Sequence, residues 1–120
     1  MVKEQSRSNA QKLLCEYRPT TWRKAALETA PETGRKALQA CIEQLRFTQE
    51  LVEALRSNKL LGEKLYQIIY ASYMTINQPY DVEEILDDIA EKYEHIPRST
   101  YFRLKERAIR MMDKYLKEAT

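Results

Sequence analysis

The sequence predicts an all-α fold, a small helical domain of five or six helices. Three observations carry that prediction. The 120 residues hold only 2 Gly and 4 Pro against 32% charged residues, so turn formers are scarce and helix-compatible surface residues abundant. Apolar residues recur at three- and four-residue steps along most of the chain, which is the spacing of a helix face and not of a strand. The length suits one domain with a modest core and is short for two independent ones.

Within that domain the sequence divides into an N-terminal helical arm, residues 1–34, and a helical core, residues 35–120. In the arm, Ser8 or Asn9 is placed to cap a first helix that runs to about Tyr17 and ends at Arg18-Pro19. Thr20 or Thr21 then starts a second, short helix holding Trp22, Ala25, Ala26 and Leu27. Ala30-Pro31-Glu32-Thr33-Gly34 is the clearest break in the chain. After it, Ala37, Leu38, Cys41, Ile42, Leu45, Val52 and Leu55 line one face of a helix of about twenty residues. Such a length suits a coiled-coil partner, although packing against the next helix is the commoner outcome. Ser57-Asn58-Lys59 interrupts it, and Leu60-Leu61-Gly62 leads into a helix carrying Leu65, Ile68, Ile69 and Tyr73. Residues 75–80 form a short connection.

The last third of the chain is the most informative. Asp81 is placed to cap an acidic helix by accepting from its free N–H groups, and Glu83 and Glu84 in the first turn suit the helix dipole. Ile85, Ile89, Ala90 and Tyr93 are expected to line its inner face, with Ala90 as the small residue where a second helix crosses. Ile96 sits in the connection and Pro97 suits the start of the following helix, which begins near Pro97 or Arg98. Tyr101, Leu104, Ala108, Met111, Met112 and Tyr115 then mark the core side of a long helix. At about 100° per residue, Arg103, Arg107, Arg110, Lys114 and Lys117 fall within an arc of about 80° beside that face. Two helices spanning residues 82–117 in this pattern read as a helix-turn-helix.

Charge is distributed unevenly along the chain. The formal total is only +2, but residues 98–120 hold seven basic against three acidic residues while residues 61–97 hold two against eight. A nucleic-acid reading therefore rests on the stripe and not on the overall charge. The bland alternative is that the stripe is a solvated helix face. Phe102, Ile109 and Leu116 recur every seven residues on a second apolar strip, which is either a dimer seam or a surface that packs on the N-terminal helices.

The segment LYQIIYASYM, followed by VEEILDDIAEKYEHIPRSTYFRLKERAIRMMDKYL, resembles region 4 of bacterial sigma factors. The matching pieces are Leu65 to Met74, Val82 to Tyr93, and Arg98-Ser99-Thr100 leading to Leu116. Among small proteins with such a module, the chain is most similar to the phage-encoded late-gene regulators of the ArpU and RinA families, whose opening NAQKLLCEYR resembles. Glu94-His95 stands where the family's turn has a single glycine, and Pro97 stands where it has a serine cap, so the turn is one residue longer.

The resemblance implies double-stranded DNA as a partner and major-groove binding by the second helix. Arg98, Ser99, Phe102 and Arg103 are then placed at base edges, with Arg103 best suited to a bidentate contact with guanine. Arg107 and Arg110 are assigned to phosphates, as are Thr100 and Lys105. The expected function is that of a sequence-specific transcriptional regulator, a phage or prophage late-gene activator acting as a homodimer in the cytoplasm of a bacterial host. The acidic helix argues for a protein contact as well, because its carboxylates would be repelled by DNA phosphates; host RNA polymerase is one such partner. Two alternatives stand beside this reading, a small terminase subunit that packages DNA and a helical adaptor that binds polymerase without touching DNA.

Other classes find no support in the residues. Cys15 and Cys41 are 26 positions apart, with no Cys-x-x-Cys and no histidine cluster, so neither a metal site nor a disulfide framework is expected. His95 is the sole histidine, and no nucleophile, base and orienting group can be assembled around it; no enzyme and no cofactor are predicted. No apolar run approaches the length of a membrane span, and MVKEQSRSNAQK lacks the apolar core of a signal peptide.

Overall fold

A computed structural model of the chain describes residues 8–29 and 34–119, and among these the fold is all-helical. Five α-helices follow one another: α1 (Asn9–Glu28), α2 (Arg35–Glu53), α3 (Gly62–Ile69), α4 (Val82–Lys92) and α5 (Arg98–Ala119). A 3₁₀ turn (Ala54–Ser57) closes α2, and a π-helical turn (Tyr70–Met74) extends α3. The break expected at residues 30–33 lies outside the described residues. No helix among those described is long and apolar enough to cross a membrane.

The first helix differs from its expectation. It does not end at Arg18-Pro19 but continues as one helix of 20 residues with Pro19 inside it. An internal proline removes one ladder hydrogen bond and costs about 3 kcal/mol, so packing on both sides of it must compensate. Leu14 and Tyr17 before the proline, and Arg18 and Thr20 beside it, are all buried. The Thr21 hydroxyl donates back to the Arg18 carbonyl at 2.7 Å and does not cap a new helix. At its start α1 is capped twice. Ser8 Oγ accepts from the Gln11 N–H at 3.2 Å, and Asp113, brought over from α5, accepts from the Ala10 N–H at 2.9 Å. A carboxylate at that end also suits the helix dipole.

The helix of the N-terminal segment belongs to the common core. Ala10, Leu14 and Tyr17 of α1 join Leu45, Val52 and Leu55 of the second helix and its 3₁₀ turn, Leu65, Ile68 and Ile69 of α3, and Tyr101, Leu104, Ala108 and Met112 of α5 in one buried cluster. Gln49 donates to the Tyr17 hydroxyl at 2.8 Å and so ties α2 to α1. The tight bend after α2 needs a glycine: a Cβ on Gly62 would lie 2.7 Å from the Leu55 carbonyl oxygen and 2.8 Å from that of Arg56. On the surface Arg56 clamps the same bend, pairing with Glu53 at 2.6 Å and Glu63 at 3.1 Å while stacking 3.7 Å over the Tyr66 ring.

The centre of the fold is polar. Ser72, in the π turn, donates to the Ile68 carbonyl at 2.7 Å, which leaves the buried Tyr101 hydroxyl of α5 to donate to Ser72 Oγ at 2.7 Å. Arg18 Nε donates to the Thr75 carbonyl at 2.9 Å, and its terminal nitrogens reach Thr75 Oγ1 at 2.9 Å and the Ser72 carbonyl at 3.4 Å. One guanidinium thereby satisfies the carbonyls where the helical segment ends.

α4 is held more loosely. Asp81 caps it as expected, accepting from the Glu84 N–H at 3.0 Å. Its one fully buried side chain is Ile89, with Val82, Ile85 and Leu86 partly buried. Ala90, expected as the crossing point, is exposed, and so is Tyr93. Ala90 lies about 100° around the helix from Ile89, on the side of Glu83 and Asp87, so burying it would drag those carboxylates inward. Tyr93 has left helical geometry at φ −131°, ψ −88°, which swings its ring off the inner face. Tyr93 to Pro97 connects α4 to α5, and the Pro97 carbonyl accepts the Tyr101 N–H at 2.9 Å as the first bond of the last helix.

The Arg18 arrangement makes a measurable prediction. Arg18→Leu keeps the bulk of the stem but strands the Ser72 and Thr75 carbonyls, and it should cost about 2–3 kcal/mol in urea unfolding. A loss under 0.5 kcal/mol, within the range of ordinary surface changes, would show that water replaces the guanidinium without penalty.

Candidate nucleic-acid interface

α5 is an amphipathic helix of 22 residues whose two long faces differ in chemistry. Its inner face is set by Tyr101, Leu104, Ala108 and Met112, all buried, and by Met111 and Tyr115 at the margin. With that face fixed, Arg103, Arg107, Arg110, Lys114 and Lys117 must point outward, and each is exposed. At 1.5 Å per residue the helix is about 33 Å long, whereas the DNA major groove is about 12 Å wide. A helix of this length laid in such a groove would bring only its first turns to base edges, with the later cations toward the phosphates.

The structure sorts the eight expected contact residues into three groups. Ser99, Arg103, Arg107 and Arg110 share the exposed row. Arg103 and Arg107 make no ion pair with the described residues, while Arg110 is paired with Glu106 at 3.0 Å on the open surface. Such an exposed pair is worth little and is readily exchanged for a phosphate. Thr100 is half-buried at the edge of the row, one position before the buried Tyr101.

Arg98 and Phe102 form a second group on the other flank. Arg98 pairs with Glu83 of α4 at 2.5 Å and lies 5.5 Å from the centre of the Phe102 ring. Phe102 is exposed and packs edge-on against Tyr101 at 5.1 Å. Arg98 thus ties the start of α5 to α4. Ile109 and Leu116, which follow Phe102 at seven-residue steps, are partly buried against the protein's own core.

Lys105 stands alone as the third group. It is half-buried, with its ammonium 5.3 Å from the Tyr73 ring centre and 5.7 Å from that of Tyr101. Burial pulls its pKa below the ordinary 10.5, and nearby Cys15 opposes part of that shift. The orientation was available from the wheel, since Lys105 is about 200° from Arg103. A cation missing from the expected set lies at the far end: Lys12 of α1 lines one cleft with Lys117 of α5. Sequence spacing could not bring those two together, because it does not say which end of α1 meets which end of α5.

Lys105 provides a test of this sorting. Its lowered pKa means that the folded state binds fewer protons than the unfolded chain, so the cost of burying the cation is present at neutral pH and is relieved as pH rises toward 10.5. Lys105→Met removes that dependence, and its stability relative to the parent should fall as pH rises toward 10.5 in urea titrations. The same variant should bind duplex DNA within about twofold of the parent, whereas a phosphate contact would cost more. Comparison with family models, with curated proteins and with solved structures gave no match to the chain.

Proposed function

We propose that this chain is a sequence-specific, double-stranded-DNA-binding transcriptional regulator, a phage or prophage late-gene activator that acts as a homodimer. The observation that carries the reading is the exposed row of cations on α5, held outward by the burial of Tyr101, Leu104, Ala108 and Met112 on the opposite face. In this reading α4, the Tyr93–Pro97 connection and α5 act as the helix-turn-helix. Ser99 and Arg103 meet base edges from the first turn of α5, Arg103 as a bidentate donor to guanine. Arg107 and Arg110 hold phosphates and fix register, and Lys114, Lys117 and Lys12 continue that contact. Arg98 reaches bases only by exchanging Glu83 for DNA, and Lys105 braces the helix from behind.

A second reading, the helical adaptor that binds RNA polymerase without DNA contact, is favoured by one observation. The exposed side of α4 carries Asp81, Glu83, Glu84, Asp87 and Glu91, a surface unsuited to phosphates.

Salt dependence separates the two. Five phosphate contacts predict that affinity for random duplex DNA falls by a hundredfold or more between about 50 and 200 mM salt. Arg107→Ala should weaken binding to all sequences alike and lower the salt slope by about one. Arg103→Ala should cost about 1–3 kcal/mol on a selected site and relax preference at one position. Absence of binding at the lowest salt would favour the adaptor, and equal effects of the two substitutions on selected and random DNA would remove Arg103 from base reading.

A further inference from the structure

A groove of about 370 Å³ opens on a part of the surface to which α5 contributes nothing. The π turn, the connection from Thr75 to Tyr80 and one flank of α4 form it. Ala71, Pro79 and Ile85 make its apolar lining, Tyr70 and Ile76 stand beside them, and Glu84 and Asp88 bring carboxylates to it from α4.

Three properties distinguish this groove from an ordinary surface dip. Large apolar side chains stand uncovered there: Ile76 of its lining is 89% exposed and Tyr70 39%, and Tyr80, next in the chain to the lining residue Pro79, is 92% exposed. α4 buries only Ile89 completely and leaves Ile85 half-covered, so its apolar stripe has room for another contact. The charge is one-sided, since Asp81, Glu84 and Asp88 recur at three- and four-residue steps on the flank that carries Ile85. Lys92 is the single cation there, and it is paired with Asp88 at 3.2 Å. A π turn forming one wall fits a binding role, because such turns are frequent at functional sites.

We infer that the groove docks a short basic segment of a protein partner. An aliphatic side chain of that segment enters between Ala71 and Ile85, and flanking Lys or Arg residues meet Glu84 and Asp88. A nucleic acid would bring its phosphates against these carboxylates. The inference does not depend on the DNA reading, since no cation of α5 takes part.

The test uses the full chain labelled with ¹⁵N and two synthetic peptides of about 14 residues. One carries leucine at three- and four-residue steps among lysines, and the other has serine in place of each leucine. The leucine peptide should shift the amides of Ala71, Ile76, Ile85 and Asp88 and leave those of Arg103 to Arg110 in place. The serine peptide should bind about tenfold more weakly or worse. Ile76→Ser, a change at an exposed position that leaves the core intact, should weaken the leucine peptide several-fold, and Asp88→Lys should do so more strongly. Equal binding of the two peptides, a footprint elsewhere, or indifference to both substitutions would overturn the proposal.

Discussion

The fold depends on one buried polar contact among three segments distant in sequence. Arg18 of α1, Ser72 of the π turn and Tyr101 of α5 meet at the centre, where the Tyr101 ring is fully buried and the Arg18 guanidinium faces carbonyls instead of a carboxylate. A cation enclosed in this way has lost much of its hydration, and burial accordingly lowers its pKa. Such a group is tolerable only while its donors remain satisfied. Any rearrangement that moves α1 away from the end of α3 strands a charge and two carbonyls together, which makes the arrangement specific as well as stable.

The outer surface follows from that contact. Once Tyr101 is fixed against Ser72, the rotation of α5 about its axis is settled, and a residue's angle from Tyr101 decides its fate. Arg103, about 160° away, must meet solvent, whereas Lys105, about 40° away, must lie against aromatic rings. The cation row is therefore a consequence of core packing. Burial also raises the Tyr101 pKa above 10.0, with the Ser72 contact opposing. Its hydroxyl stays protonated at neutral pH, and its contribution to stability is complete below pH 10 and fades as pH rises from there through the raised value.

Much of this was legible in the chain, because most elements are set by local rules. Ser8 and Asp81 cap the helices they precede, residues 75–80 form a connection, and Tyr101, Leu104, Ala108 and Met112 mark the buried side of α5. The failures share a different origin. Pro19 reads as a helix end to any rule based on neighbours, and only the distant partners of Arg18 explain why α1 runs through it. Ala90 reads as a small inner-face residue near a crossing, but Leu86, Ile89 and Ile85 define that face and leave Ala90 exposed beside it. The widening of α3 into a π turn has no sequence mark of its own. It coincides with the Ser72 hydroxyl engaging the Ile68 carbonyl while Tyr101 and Arg18 hold the same residue from outside.

The electrostatics of α5 are graded along its length, and this bears on how a DNA contact would divide between affinity and recognition. At the N-terminal end Glu83 of α4 pairs with Arg98. The helix is about 33 Å long, some four Debye lengths at physiological salt, so this pairing is screened from its far end. In a DNA complex, phosphates would therefore be attracted most strongly by the middle and end of the row, and least by the turn that would face the bases. Binding strength would come from Arg107, Arg110, Lys114 and Lys117, whatever the sequence beneath them. The first turn, with little net charge to contribute, would add energy only where hydrogen-bond geometry is met. In the proposed DNA contact, an acidic helix beside the first turn of α5 would suppress non-specific attraction where discrimination would be made, a division of labour that a uniformly basic α5 and α4 could not achieve.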